Sequence, residues 1–303
     1  MFYPLAAPTW GSEETNAAKR VIDSGFLTMG ENVAKFEQAF ANYFNKEYAV
    51  MVNSGSSANL ISVAALSFKK DKPLQRGDEV IVPAISWSTT YHPLQQYGLK
   101  LKIVDVDLDT LNIDVAQLES ALTPRTRMIV AVSILGNPAA LDTMRAFADA
   151  HNLYFMEDNC ESLDAELNGR KAGTFGDVNT SSFFFSHHIS TIEGGMISTN
   201  NYELYDLMRI KRSHGLARES ERASSYYEKY PHLSNQFLFV TDGYNFRNHE
   251  LGAVLGLSQL PRLNSYIDKR NNNYKKFIEL ISKHEDKFFV PWYHKYNNHI
   301  SNF

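Results

Sequence analysis

The sequence has a single cysteine, Cys160, in 303 residues. That excludes an intramolecular disulfide or a multi-cysteine metal site within these residues, and it fits a reducing cytoplasm. Basic excess is also missing. Lys plus Arg number 30 against 34 for Asp plus Glu, and the net charge of −4 argues against a dedicated nucleic-acid binder. No long apolar run occurs: Met128 to Leu135, the most apolar stretch, falls far short of the ~20 residues that span a bilayer. Residues 1–8 lack the basic stretch and apolar run of a secretory leader. A cytoplasmic protein with no membrane and no nucleic-acid partner is expected.

What is present reads as an α/β protein. Ser12-Glu13-Glu14 opens a helical pattern that ends near Gly25, with acids where the helix dipole favours them. A second helix is predicted over about Val33 to Phe44, with Phe36 and Phe40 on one face. Tyr48–Val52, Glu79–Val82, Lys100–Val104, Met128–Val132 and Tyr154–Met156 read as buried strands. Helical patterns after Ser57, near Val115–Leu122 and over Ala139–Ala150 separate several of them. This alternation predicts a largely parallel sheet, in which ligands bind beyond the carboxyl ends of the strands. From about Leu251 one or two long helices run to Lys283. Residues 1–250 are expected to form one large domain. Residues 251–303 would hold linking helices and the start of a smaller, truncated domain.

Five segments sit where strands hand over to loops. Asn53-Ser54-Gly55-Ser56-Ser57-Ala58-Asn59 puts small residues at a helix start, a setting for a phosphate or for a plain serine cap. In Ser86-Trp87-Ser88-Thr89-Thr90, Trp87 could stack on a flat heteroaromatic ring or pack in the core. In Glu157-Asp158-Asn159-Cys160-Glu161, a carboxylate could hold a proton on a pyridine nitrogen or simply cap a loop. Cys160 reads as a small buried filler rather than a nucleophile. Ser182-Phe-Phe-Phe-Ser186-His187-His188 reads as an apolar strand leading to two histidines, before Glu193-Gly194-Gly195. Those histidines could be metal ligands or ordinary loop histidines, and with no third histidine nearby no metal is expected. Gly243-Tyr-Asn245-Phe-Arg247 precedes the next helix.

In order and spacing these segments resemble the pyridoxal-phosphate (PLP) enzymes of fold type I, specifically the DegT/DnrJ/EryC1/StrS family of sugar aminotransferases and dehydratases. The likeness runs from Leu5 to about Asn271. It implies a mostly parallel central sheet flanked by helices, with a smaller C-terminal domain. It also implies that Gly55, Ser56 and Ser182 bind the cofactor phosphate, Trp87 stacks on the ring, Asp158 pairs with its nitrogen and Glu161 lies near the ring oxygen or substrate. Asn245 would reach the phosphate of a neighbouring subunit in a homodimer with shared active sites. His214 and Arg218 match a segment near the sugar nucleotide.

One departure from the family pattern carries the functional expectation. The family places its Schiff-base lysine six residues before the Glu of Glu-Gly-Gly, and counting back from Glu193 lands on His187. No lysine lies between Lys171 and Lys211. An imidazole cannot form a stable imine, but it can accept and donate a proton. The change resembles the 3-dehydratase branch of the family. That branch implies pyridoxal/pyridoxamine phosphate, a nucleotide-linked 4-keto-6-deoxyhexose (GDP favoured over CDP and dTDP), and glutamate leaving as 2-oxoglutarate. His187 would be the catalytic base. An iron–sulfur variant of this chemistry needs about four cysteines, and Ser220–Phe239 contains none. A plain sugar aminotransferase or an inactive cofactor-binding paralogue are the competing readings.

Overall fold

The computed structural model describes residues 9–284, 286–288 and 301. The expectations about residues 1–8 and about a truncated domain beginning within residues 289–303 lie outside them, Ser301 excepted. The chain opens with two helices, α1 (Ser12–Ser24) and α2 (Glu31–Tyr43), and β1 (Tyr48–Val52) leads into α3 (Gly55–Phe68). Then β2 (Glu79–Pro83), α4 (Ser88–Gln96), β3 (Lys100–Val104), α5 (Leu118–Ala121), β4 (Thr126–Val132), α6 (Leu141–Ala150) and β5 (Tyr154–Asp158) alternate. A small hairpin, β6 (Glu166–Leu167) and β7 (Arg170–Lys171), precedes β8 (Val178–Ser182) and β9 (Gly195–Thr199). Helices α7 (Tyr202–Arg212), α8 (Ala223–Lys229), α9 (Glu250–Gln259) and α10 (Leu263–Ile281) complete the described chain.

Seven strands form one sheet in the order β1-β9-β8-β5-β4-β2-β3. Only β9 runs against its neighbours, so the expectation of a largely parallel sheet holds. Strands β2, β5 and β8 are almost wholly buried, because helices cover both faces. The two-residue period of β4 shows this division. Met128 and Val130 join the cluster under α3, α4 and α7, while Ile129 and Ala131 join the one under α5 and α6. A third cluster places Phe36 and Phe40 of α2 against Met51, Met196, Ala253 and Leu263, so α9 and the start of α10 share a core with β1 and β9. Among the described residues, no helix is long and apolar enough to cross a membrane.

One predicted strand is displaced. The apolar run Phe183-Phe-Phe185 is not the strand; the polar segment Val178–Ser182 is, and it ends where the run begins. Phe183 is buried, whereas Phe184 and Phe185 are each 41% exposed. The strand was hidden because it is polar: Asn179 and Thr180 find hydrogen-bond partners in the buried centre, and Ser182 faces the cavity. Helix α2 also begins earlier than its pattern suggested. Its first turn is capped from far along the chain by the buried carboxylate of Glu250, which accepts from the N–H groups of Gly30 (2.9 Å), Asn32 (2.9 Å) and Val33 (3.0 Å).

Replacing Glu250 by alanine strands those three donors and is expected to cost about 2–4 kcal/mol. Glu250→Gln keeps an acceptor and is expected to cost less. Urea unfolding followed by circular dichroism checks this, and an unchanged midpoint for Glu250→Ala would contradict it.

Candidate active site

A cavity of about 480 Å³ opens at the carboxyl ends of the parallel strands. It gathers Gly55, Ser56, Trp87, Asp158, Glu161, Ser182 and His187, seven of the residues singled out in the sequence. Asn245, His214 and Arg218 are not among its lining residues. Asn245 and Arg218 are exposed, and His214 sits partly covered at a left-handed backbone position (φ 63°).

At one end of the cavity lies the start of α3. Ser54 caps it, its hydroxyl accepting from the N–H of Ser57 at 3.1 Å, so the serine-cap reading is correct. The same turn presents first-turn amides, which have no partner inside a helix, toward the cavity. Gly55 is required by close approach. A Cβ there would fall 2.6 Å from Cβ of Ser182, so only glycine lets α3 close against the end of β8. A Cβ on Gly195 would likewise meet the Ser54 carbonyl at 2.4 Å. Small residues thus bring the amides of Gly55 and Ser56 beside the Ser182 hydroxyl, a set that suits a phosphate.

Across the cavity, adjacent acids on β5 part to opposite faces of the sheet, as strand geometry demands. Glu157 turns away and accepts from the N–H groups of Gly173 (2.7 Å), Phe175 (2.6 Å) and Gly176 (2.5 Å). Asp158 turns in, and its carboxylate is only 5% exposed. Its Oδ2 accepts from Asn59 Nδ2 at 2.8 Å and from Thr90 Oγ1 at 2.7 Å, and its Oδ1 from the N–H of Cys160 at 3.2 Å. A buried carboxylate so held suits a protonated pyridine nitrogen. Trp87 is 71% exposed at the cavity, which rules out the core-packing reading and leaves its indole available for stacking.

Helix-start amides suited to a phosphate, a buried carboxylate and an open indole around one cavity fit the dimensions and chemistry of a pyridoxal phosphate. Asn59 was quoted within its motif without a role; Thr90 counted only among the hydroxyls beside Trp87 that could reach a ring's substituents, and its bond to Asp158 had no sequence signal. The signal for Asn59 was its place one helical turn beyond Gly55. Val132, Thr89, Phe184 and Ser186 also line the cavity.

His187 occupies the loop after β8. The loop is clamped on both sides: the Phe183 N–H bonds to the Gly194 carbonyl (2.8 Å), and the Ser190 N–H to Oε1 of Gln259 on α9 (3.0 Å). His188 points into the protein, fully buried, with Nε2 3.0 Å from the Ser301 carbonyl. Its partner His187 faces the cavity. Burial lowers the pKa of His187 to about 4, despite the raising effects of Asp158 and of a hydrogen bond to the Cys160 backbone. At neutral pH its imidazole is therefore uncharged and able to take a proton. Burial pushes the Cys160 thiol up, as does the nearby Asp158 carboxylate, so it is no nucleophile. Contrary to the filler reading, Cys160 is only partly covered and lines the cavity. Glu161 accepts from the N–H of Leu135 at 2.8 Å, and burial raises its pKa. Among the described lining residues there is no lysine.

The sequence model of the DegT/DnrJ/EryC1/StrS aminotransferase family matches residues 8–302. The GDP-4-keto-6-deoxy-D-mannose 3-dehydratase of Yersinia pseudotuberculosis is 47% identical over 291 residues, covering 93% of this chain and 72% of that protein. In three dimensions the chain resembles the Escherichia coli GDP-4-keto-6-deoxy-D-mannose-3-dehydratase with bound hydrated PLP. The TM-score is 0.87 at 43% identity, covering 94% of this chain and 74% of that one. A GDP-4-keto-6-deoxymannose-3-dehydratase with a trapped PLP–glutamate geminal diamine also gives 0.87 at 43% identity, covering 93% and 74%. The fold is that of the PLP-dependent aminotransferases, fold type I, as the sequence led one to expect. The chain belongs to the DegT/DnrJ/EryC1/StrS aminotransferase family.

Proposed function

We propose that this protein is a PLP-dependent 3-dehydratase of a nucleotide-linked 4-keto-6-deoxyhexose, GDP-4-keto-6-deoxy-D-mannose in the first instance, with glutamate as amino donor. The observation that carries the reading is His187: a neutral imidazole stands in a cavity suited to a pyridoxal phosphate, with no primary amine among the described lining residues. The relatives named for that dehydration, at 47% and 43% identity, support the substrate. The geminal diamine with glutamate in one of them supports the donor. Overall the exchange balances. The sugar's C3–OH becomes C3–H, and glutamate supplies the two electrons, leaving as 2-oxoglutarate and ammonia.

When bound, the pyridoxal or pyridoxamine phosphate supplies an electron sink for breaking C–H and C–O bonds. The chain's own residues do the rest. Gly55, Ser56 and Ser182 would hold the phosphate at the start of α3, and Trp87 would stack on the ring. Asp158 would keep a proton at the ring nitrogen. Glu161 would lie toward the ring oxygen or the substrate. His187 would accept a proton from the carbon that must lose its hydrogen and give it to the departing C3 hydroxyl. One imidazole can serve as base and then as acid because its uncharged form is the resting one. An aminotransferase would need a lysine at this position.

Asn245, His214 and Arg218 belong to the same reading. Asn245, exposed and away from its own chain's cavity, would reach the phosphate of a partner in a homodimer. Phe237 and Phe239, 69% and 56% exposed, are the kind of apolar surface such a contact covers. His214 and Arg218 would face the nucleotide. Sedimentation tests the dimer, and a monomer at every concentration would remove it.

His187→Asn is expected to bind PLP about as well as wild type while turnover of GDP-4-keto-6-deoxy-D-mannose with glutamate falls at least ~100-fold. Full turnover in that variant would take His187 out of the chemistry. The pH profile gives a second readout. A base with its pKa lowered to about 4 is lost only as pH falls toward that value, so kcat/KM is expected to stay flat from pH 8 to about pH 5.5. An acid limb centred near 6.5, the ordinary histidine value, would contradict the burial argument.

A further inference from the structure

Resting on the reading that this cavity holds a pyridine ring, we propose that Asn59 and Thr90 are positioning residues that load one oxygen of Asp158 and so reserve the other for the ring nitrogen. The hydrogen bonds divide unevenly. Oδ2 accepts two short ones, from Asn59 Nδ2 (2.8 Å) and Thr90 Oγ1 (2.7 Å), whereas Oδ1 accepts the longer one from the Cys160 N–H (3.2 Å), and the Cys160 thiol also bonds to the carboxylate. Asn59, Thr90 and Asp158 are 2%, 2% and 5% exposed, so water does not substitute for these bonds.

The donor directions are fixed by the surroundings. The Asn59 amide cannot be turned round: its Oδ1 accepts from Thr180 Oγ1 at 2.7 Å, and its Nδ2 also donates to the Thr89 carbonyl at 3.2 Å. A carboxylate only accepts, so Thr90 spends its hydroxyl proton on Asp158 and takes one from Ser86 Oγ, 2.7 Å away. Two helices, α3 and α4, thus converge on one oxygen of Asp158 at the end of β5, and β8 steadies Asn59 through Thr180.

Asn59 lies one turn beyond Gly55 on α3. The helix whose start suits the phosphate therefore also orients the carboxylate for the ring's other end, and the two contacts are set by one rigid body. With a donor removed, negative charge on Asp158 is less compensated and the carboxylate is free to rotate. The proton shared with the ring nitrogen then shifts toward Asp158, and the ring withdraws electrons less well.

Ring-nitrogen NMR of bound ¹⁵N-labelled PLP tests this without turnover. In wild type the resonance is expected at the protonated pyridinium position. In Thr90→Val it is expected to move toward the neutral pyridine position, with PLP affinity falling about three- to tenfold, and Thr90→Ser is expected to restore both. Thr90→Ala makes the same measurement with a smaller side chain should the valine variant misfold. An unchanged resonance in a folded valine or alanine variant would overturn the proposal. Wild-type protein that binds no PLP would instead refute the cofactor reading, a separate outcome.

Discussion

The site depends on one negative oxygen pair buried at the end of a parallel strand. Taking a carboxylate out of water is costly unless donors replace the solvent. Here Asn59, Thr90 and the Cys160 N–H do so. Each donor comes from a different part of the chain, so the charge can be held only when α3, α4 and β5 are assembled. That requirement places the start of α3 and the mouth of the cavity, and it fixes where a ring between them would lie. The sheet makes this possible. Its parallel strands direct their carboxyl ends to one edge, and alternation sends Asp158 inward while Glu157 ties down the loop on the far face.

The second constraint is an imidazole kept uncharged. His187 and His188 are neighbours in sequence, yet the loop turns one into the cavity and the other into the core. Burial lowers both pKa values, to about 4 and about 3. Linkage then has a definite sign. Between about pH 6.5 and 4 the unfolded chain binds protons that the folded one refuses, so the fold loses stability as pH falls through that window. Above it, the protein holds an uncharged imidazole with its loop clamped by Gln259. A lysine at the same place would be a nucleophile toward the cofactor aldehyde; histidine is a proton carrier.

Much of this was legible in the sequence because the strands are short, apolar and bounded by turns. β1 and β3 begin and end where their β-branched runs do, and the other predicted strands lengthen by one or two residues. The segments at and just beyond the strands' carboxyl ends held seven cavity residues in recognisable order. Where local pattern failed, a distant partner was responsible. β8 is polar because its side chains bond across the buried centre, and α2 starts early because Glu250, over two hundred residues away, caps it. Asn59 went unassigned, and Thr90 unlinked to Asp158, for the same reason: both bond to that carboxylate, and nothing nearby in sequence reveals the meeting.

The central claim is that no side chain of the resting protein is joined to its cofactor. Borohydride treatment of the PLP-loaded protein, followed by intact-mass and peptide analysis, tests it directly. The account predicts unmodified protein and cofactor released on denaturation. A reduced adduct on any lysine would contradict it.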